Sequence, residues 1–200
     1  MTVAFETVPS LSELYAHAWG QLVRGGRDRR HGFHTATVST IRNGRPEGRV
    51  VVLRQAIPAS HALVFHTDTR SAKLTELEQG VAWTLYDARH RLQVRGWGGA
   101  SIADPATTDA RWAASGASAR KGYLTETAPG TPIAAWSSGF PEDLAGPVVP
   151  EIDRTEVGRP NFTVVTTRLQ TYEVLVLRRA GYLRASYRAD AGWAGTWQIP

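Results

Sequence analysis

Cysteine is absent from this 200-residue chain, and lysine nearly so, with Lys73 and Lys121 alone. The first absence excludes disulfides, thiolate zinc sites, cysteine-ligated iron–sulfur clusters and a cysteine nucleophile. The second means that the net charge of +5 comes from arginine, whose planar fork suits phosphates and carboxylates. Charge alone leaves two readings open: a phosphorylated ligand or nucleic acid, or a solvated arginine-rich surface. Long apolar runs are also missing. None exceeds four residues, so no membrane-spanning helix is expected. The start, MTVAFETVPS, has neither a basic n-region nor an apolar core, so no signal peptide is expected and a cytoplasmic location is the default. G-x-S-x-G, Walker and H-E-x-x-H motifs are lacking. His31 and His34 form H-x-x-H without an evident third ligand, so no metal site is expected.

What remains fits a single globular domain over 1–200, with 42% hydrophobic and 20% charged residues. Ser10 and Glu13 form a capping box before a helical pattern at Leu14, Ala18 and Leu22, which Gly25-Gly26 ends, so a helix is predicted over 10–23. The period then changes to two. Strands are predicted at 34–41, 47–57, 61–67, 81–87 and 91–102, with an Asn43-Gly44 turn after the first. A helix is predicted over 71–79, ended by Gly80. Another starts at Asp104-Pro105 and runs to about Ser115. Residues 125–160 are rich in proline and glycine and read as loops with short helical turns. Strands at 161–169, 171–179, 181–188 and 195–199 close the chain. Many short strands separated by tight turns favour a closed antiparallel barrel over an alternating βαβ plan.

Three stretches carry candidate chemistry. In FHTDTRSAKLTEL (65–77), Arg70 and Lys73 sit around a helix start, where the backbone already carries partial positive charge. An anion bound there by the free N–H groups and by Thr67, Thr69 and Ser71 would explain them. Neutralisation by Asp68 and Glu76 would explain them equally well. RVVVLR (49–54) has an arginine at each end. A side-chain period of two would send them to opposite faces, unless one lies outside the regular strand. QVRGWGGA (93–100) holds a G-x-G-G run inside a strand, with no helix opening from it. That is a bulge or a close backbone approach, not a dinucleotide fingerprint.

Taken in order, RVVVLR (49–54), FHTDTRSAK (65–73) and RLQVRGWGGA (91–100), followed by Trp112 and Pro129-Gly130-Thr131-Pro132, resemble the pyridoxamine 5'-phosphate oxidase superfamily, in particular its uncharacterised branch. The resemblance implies an antiparallel split β-barrel with a few peripheral helices and FMN as cofactor. It places Arg49 at the flavin phosphate, and Val50, Val51, Val52, Leu53 and Arg54 along the flavin. It matches His66-Thr67 to an aromatic–threonine pair in which the family has tyrosine, and Ser71-Ala72-Lys73 to the phosphate-binding S-R-K. Arg70 is the candidate to compensate for the arginine missing at Ala72. Gln93 and Arg184 would reach the flavin from the partner of a homodimer, although Leu175 replaces a tryptophan expected on the same strand. The implied function is an FMN-dependent oxidoreductase acting on an unidentified small molecule, with catalytic residues unassigned. The alternatives are a non-catalytic flavin- or tetrapyrrole-binding sensor and, last, a nucleic-acid-binding barrel. An Arg-x-His substrate element is absent from RRAGYLRASYR (178–188), so efficient oxidation of pyridoxamine 5'-phosphate is not expected.

Overall fold

Ser10 shows how local the first decision is. Its hydroxyl accepts the Glu13 N–H while the Glu13 carboxylate reaches back to the Ser10 N–H at 2.8 Å, and helix α1 (Leu11–Gly25) follows. The computed structural model describes Phe5 and residues 7–200. Residues 1–4 and Glu6, on which the expectation of no leader rests in part, lie outside the described residues. Helix α2 (Pro105–Ala113) likewise starts where Asp104 caps the Thr107 N–H, and α3 is a short turn, Ala117–Arg120. Among the described residues, no helix is long and apolar enough to cross a membrane.

Among the described residues there are nine strands: β1 Thr35–Arg42, β2 Arg45–Val52, β3 Gln55–Ile57, β4 Ala62–Asp68, β5 Val81–Asp87, β6 Leu92–Ile102, β7 Phe162–Val176, β8 Leu183–Arg188 and β9 Gly195–Gln198. Their order is β2-β1-β5-β6-β7-β4-β3, with β8 on β7 and β9 on β8. The order ends at β2 and β3 without a pairing that joins them among the described residues. This corrects the expectation of a closed barrel: the sheet is open, as in a split barrel. The strand read as 47–57 breaks in two because the chain changes partner, β2 pairing with β1 and β3 with β4. In the break, the Leu53 N–H goes to His34 and the Arg54 N–H to Val64. Conversely, 161–169 and 171–179 fuse into β7. Its buried positions shift from odd (Val165, Thr167, Leu169) to even (Tyr172, Val174, Val176), so the alternation is interrupted while the strand continues.

Segment 72–79 is a 3-10 helix rather than an α-helix. Its bonds close after three residues, Leu74 to Ser71 and Gly80 to Leu77. The Thr75 hydroxyl takes the Ala72 carbonyl, competing with an α-helical ladder. Gly80 ends it at φ +83°.

The chain forms two compact units. The first comprises residues up to 65, 76–101 and 166–200. Its core holds Leu14, Leu22, Phe33, Trp83, Tyr172 and Tyr187. The Trp83 indole N–H donates to Thr167 at 3.0 Å, and Trp19 stacks on Tyr172. Gly98 explains the glycine run: a Cβ there would lie 1.9 Å from the Arg168 carbonyl oxygen, so β6 approaches backbone as only glycine allows. The second unit comprises 66–75 and 102–165. It is built around Trp112 and Phe162, whose ring centroids lie 5.3 Å apart.

Candidate functional site

In the second unit, Lys73 folds back so that its Nζ donates to Thr67 Oγ1 and Ser71 Oγ, each at 2.7 Å. An ammonium flanked by two hydroxyls is a natural anion cradle, since the hydroxyls can donate while the ammonium supplies charge. Arg70 differs. Its Nε and Nη2 bind the Asp68 carboxylate at 3.0 and 2.7 Å, and Nη1 and Nη2 hold the Thr125 carbonyl and hydroxyl at 3.0 and 3.1 Å. Asp68 and the neighbouring loop therefore occupy this guanidinium, and bonding to Asp68 raises the Arg70 pKa. The two cations that posed one question in the sequence have separate answers: neutralisation for Arg70, hydroxyl company for Lys73. His66 meets Phe162 edge-on at 4.8 Å.

In the first unit, Arg49 donates to Thr40 and, at 3.1 Å, to Glu76, whose other oxygen binds the Arg42 Nε at 2.5 Å. Thr40 also donates to Glu76. Burial pushes the Glu76 carboxyl up, but the bonds from Thr40, Arg42 and Arg49 outweigh it and hold the pKa below the ordinary value. Glu76, expected from the sequence to neutralise the cations of the 65–77 stretch, is bonded by Thr40, Arg42 and Arg49. Arg49 retains further N–H groups, with a side chain 21% exposed. Arg54 lies just past β2, outside the regular strand, and its buried Nε has no partner among the described residues.

The outward face of the same unit collects several of the remaining residues. Val50 lies opposite Thr37, Thr37 opposite Thr84, and Thr84 opposite Arg95, so they form one row across β2, β1, β5 and β6. Val50 is 71% exposed although apolar, and Tyr86 and Trp97 are also open on this face. Gln93, two residues before Arg95 and opposite Tyr86, makes no side-chain hydrogen bond among the described residues. Glu173 on β7 accepts from Arg95 and, through its other oxygen, from Arg184 on β8 at 2.8 Å. Arg184 keeps a buried Nε without a partner. An open depression of about 460 Å³ lies here, its lining including Arg95, Trp97, Glu173, Ser186 and Gln198. Two of the buried donors left without an acceptor, on Arg54 and Arg184, thus belong to residues singled out for a flavin, and the donor set fits an anionic, acceptor-rich cofactor.

Sequence reading missed a third group. His31, Asp87 and His90 bring their ligand-type atoms within 4.8 Å of one another. The Phe33 N–H donates to His31 Nδ1, so the proton is on Nε2, which donates to Gln21 at 2.8 Å. His90 Nδ1 lies 2.9 Å from Asp87. Both nitrogens of His31 are engaged by the protein; hydrogen bonds tie His31 to Gln21 of α1 and His90 to Asp87, and the two pairs meet where His31 Nε2 lies 3.7 Å from Asp87. Only contact across the fold, not spacing, could have shown it.

Residues 16–104 match the family model described as pyridoxamine 5'-phosphate oxidase, FMN-binding domain. No curated protein matches the chain. Among solved structures, it is similar to a pyridoxamine 5'-phosphate oxidase-related, FMN-binding protein from Nostoc punctiforme, at 24% identity and TM-score 0.69, covering 97% of this chain and 100% of that one. It is similar to PhzG from Burkholderia lata in complex with tetrahydrophenazine-1-carboxylic acid, at 16% identity and TM-score 0.70, with 100% of both chains covered. A general stress protein 26-related protein of Clostridium acetobutylicum aligns at 14% identity and TM-score 0.53, covering 90% of this chain and 96% of that one. At such identities these likenesses establish the fold. Together with the motifs in that segment, they lead to one statement: residues 16–104 are similar to the FMN-binding domain of pyridoxamine 5'-phosphate oxidases, and the fold is that of the FMN-binding relatives.

Proposed function

We propose that this protein is an FMN-dependent oxidoreductase that works as a cytoplasmic homodimer on a small molecule other than pyridoxamine 5'-phosphate. The observation that carries the reading is the Lys73 cradle with its two hydroxyls, lying inside the matched segment. Lys73, Ser71 and Thr67 would hold the phosphate, with Arg49 contributing through its remaining N–H groups. Arg70 would act indirectly, by fixing the loop at 125–126. Residues 50–54 and His66 would border the flavin, and Gln93 and Arg184 would reach the flavin of the partner subunit. Bound FMN supplies hydride and electron transfer at its ring system, while the protein supplies binding, orientation and electrostatics.

The homodimer is supported by the outward sheet face. Val50, Tyr86 and Trp97 expose apolar surface beside Gln93 and Arg184, and a twofold interface would cover it while creating two equivalent sites. Light scattering on the FMN-loaded protein is expected to give twice the chain mass; a stable FMN-bound monomer would exclude this arrangement.

The substrate reading draws support from Arg120, an arginine of α3 that is committed within the protein. It is buried, lies 4.7 Å over the Trp112 ring, and binds Glu156 at 2.5 Å and the Trp112 carbonyl at 3.0 Å. An arginine so engaged is structural. No histidine follows His90 in the chain. Two assays test the proposal. NAD(P)H or another reductant class should bleach the flavin band reversibly, with oxygen restoring it. Pyridoxal 5'-phosphate formation should stay far below about 1 s⁻¹, an ordinary enzyme rate; turnover at or above that rate would refute the substrate reading.

A further inference from the structure

Glu173 is the only acidic residue of β7, and arginines flank it on both neighbouring strands, Arg95 on β6 and Arg184 on β8. Its carboxylate divides between them. Oε1 accepts from Arg95 Nε at 3.0 Å and Nη2 at 2.8 Å, and Oε2 accepts from Arg184 Nη2 at 2.8 Å. The side chain is 16% exposed. Burial raises its pKa, but the bonds from Arg184 and Arg95 more than offset this and keep it ionised. On Arg184, a single N–H is held by Glu173 and the buried Nε has no partner. Without Glu173, no side-chain hydrogen bond among the described residues would fix where this long, flexible side chain points.

We infer that Glu173 is a positioning residue: it aims Arg184 at the flavin, through Arg184 alone. The inference rests on the reading of Arg184 as a flavin contact. Two effects of Glu173 on FMN have opposite signs. As an anion beside two cations it repels a phosphorylated, acceptor-rich ligand, so charge alone predicts tighter binding once it is removed. As a clamp it pre-organises a charge-assisted donor, so its removal weakens binding. The account requires the second to win.

The experiment is a double-mutant cycle on the full chain, with FMN affinity read from quenching of flavin fluorescence and fold integrity from circular dichroism and melting. Glu173→Gln should raise Kd roughly tenfold, the scale of one charge-assisted hydrogen bond. Glu173→Asp keeps the charge but shortens the reach to two arginines at once, and should also weaken binding; it covers the case in which the glutamine variant does not fold. In an Arg184→Ala background, Glu173→Gln should have no further effect. Unchanged or tighter binding in both Glu173 variants, or effects that multiply with Arg184→Ala, would overturn the inference. If Arg184→Ala itself leaves Kd unchanged, the fault lies in the reading of Arg184 instead.

Discussion

Replacing Lys73 by alanine isolates the phosphate cradle. The ammonium makes two 2.7 Å bonds to Thr67 and Ser71, both of which are hydroxyls able to turn to water or to a ligand. The expected stability change is therefore small, within about 1 kcal/mol. The effect on FMN is larger, because the alanine variant loses a charge-assisted bond to a phosphate, about 1.5–3 kcal/mol. That corresponds to a Kd raised roughly 10- to 150-fold. Arg70→Ala provides the contrast. It leaves Asp68, 7% exposed, without its main partner, so it should cost about 1–3 kcal/mol in stability and change the intrinsic FMN affinity less than Lys73→Ala. Fluorescence titration and thermal melting of the two variants, side by side, give a crossed pattern. If Lys73→Ala binds FMN with wild-type affinity while Arg70→Ala does not, the assignment of the cradle is wrong.

Other consequences follow from packing and titration. Glu76→Gln should destabilise the protein by about 2 kcal/mol in urea unfolding, since Thr40, Arg42 and Arg49 lose their shared anion and the arginines are only partly solvated; an unchanged midpoint would contradict this. Gly98→Ala should fold poorly or not at all, because its methyl would meet the Arg168 carbonyl at 1.9 Å; a soluble variant with wild-type melting would show that the close approach is not real. Acid should destabilise the protein in two stages. Burial lowers the His31 pKa, opposed by Asp87 and reinforced by His90 and Arg24. The unfolded chain therefore takes up that proton first, and stability falls as pH drops below about 6.5. For Asp87, burial raises the pKa, but bonds from His90 and Arg89 more than offset it, so the net shift is downward; its contribution is present above the ordinary carboxylate range and is lost as pH falls through the lowered value. Melting temperatures that stay flat between pH 7 and 5 would refute the His31 part.

Much of the fold was legible because it is locally decided. Ser10 with Glu13, Asp104 with Pro105, and Gly80 each act within four residues of themselves, and each element starts or stops where they stand. The break at Leu53-Arg54 was not legible, since it depends on which neighbour each half pairs with. Nor was the continuity of β7, whose buried face changes parity midway. In the site, the motif positions could be named but not their engagements. Nothing in the spacing distinguishes Arg70, committed to Asp68, from Lys73, held by hydroxyls. The Arg95–Glu173–Arg184 cluster joins residues up to 89 positions apart and exists only once β6, β7 and β8 are aligned.

The central claim is that this chain binds FMN, with Lys73 at the phosphate. It is tested most directly by titrating FMN, and riboflavin in parallel, into the cofactor-stripped wild-type protein by calorimetry. The account predicts saturation at one FMN per chain and much weaker binding of riboflavin, which lacks the phosphate that Lys73, Ser71 and Thr67 are arranged to hold. Equal affinity for the two, or no binding of either, would contradict it.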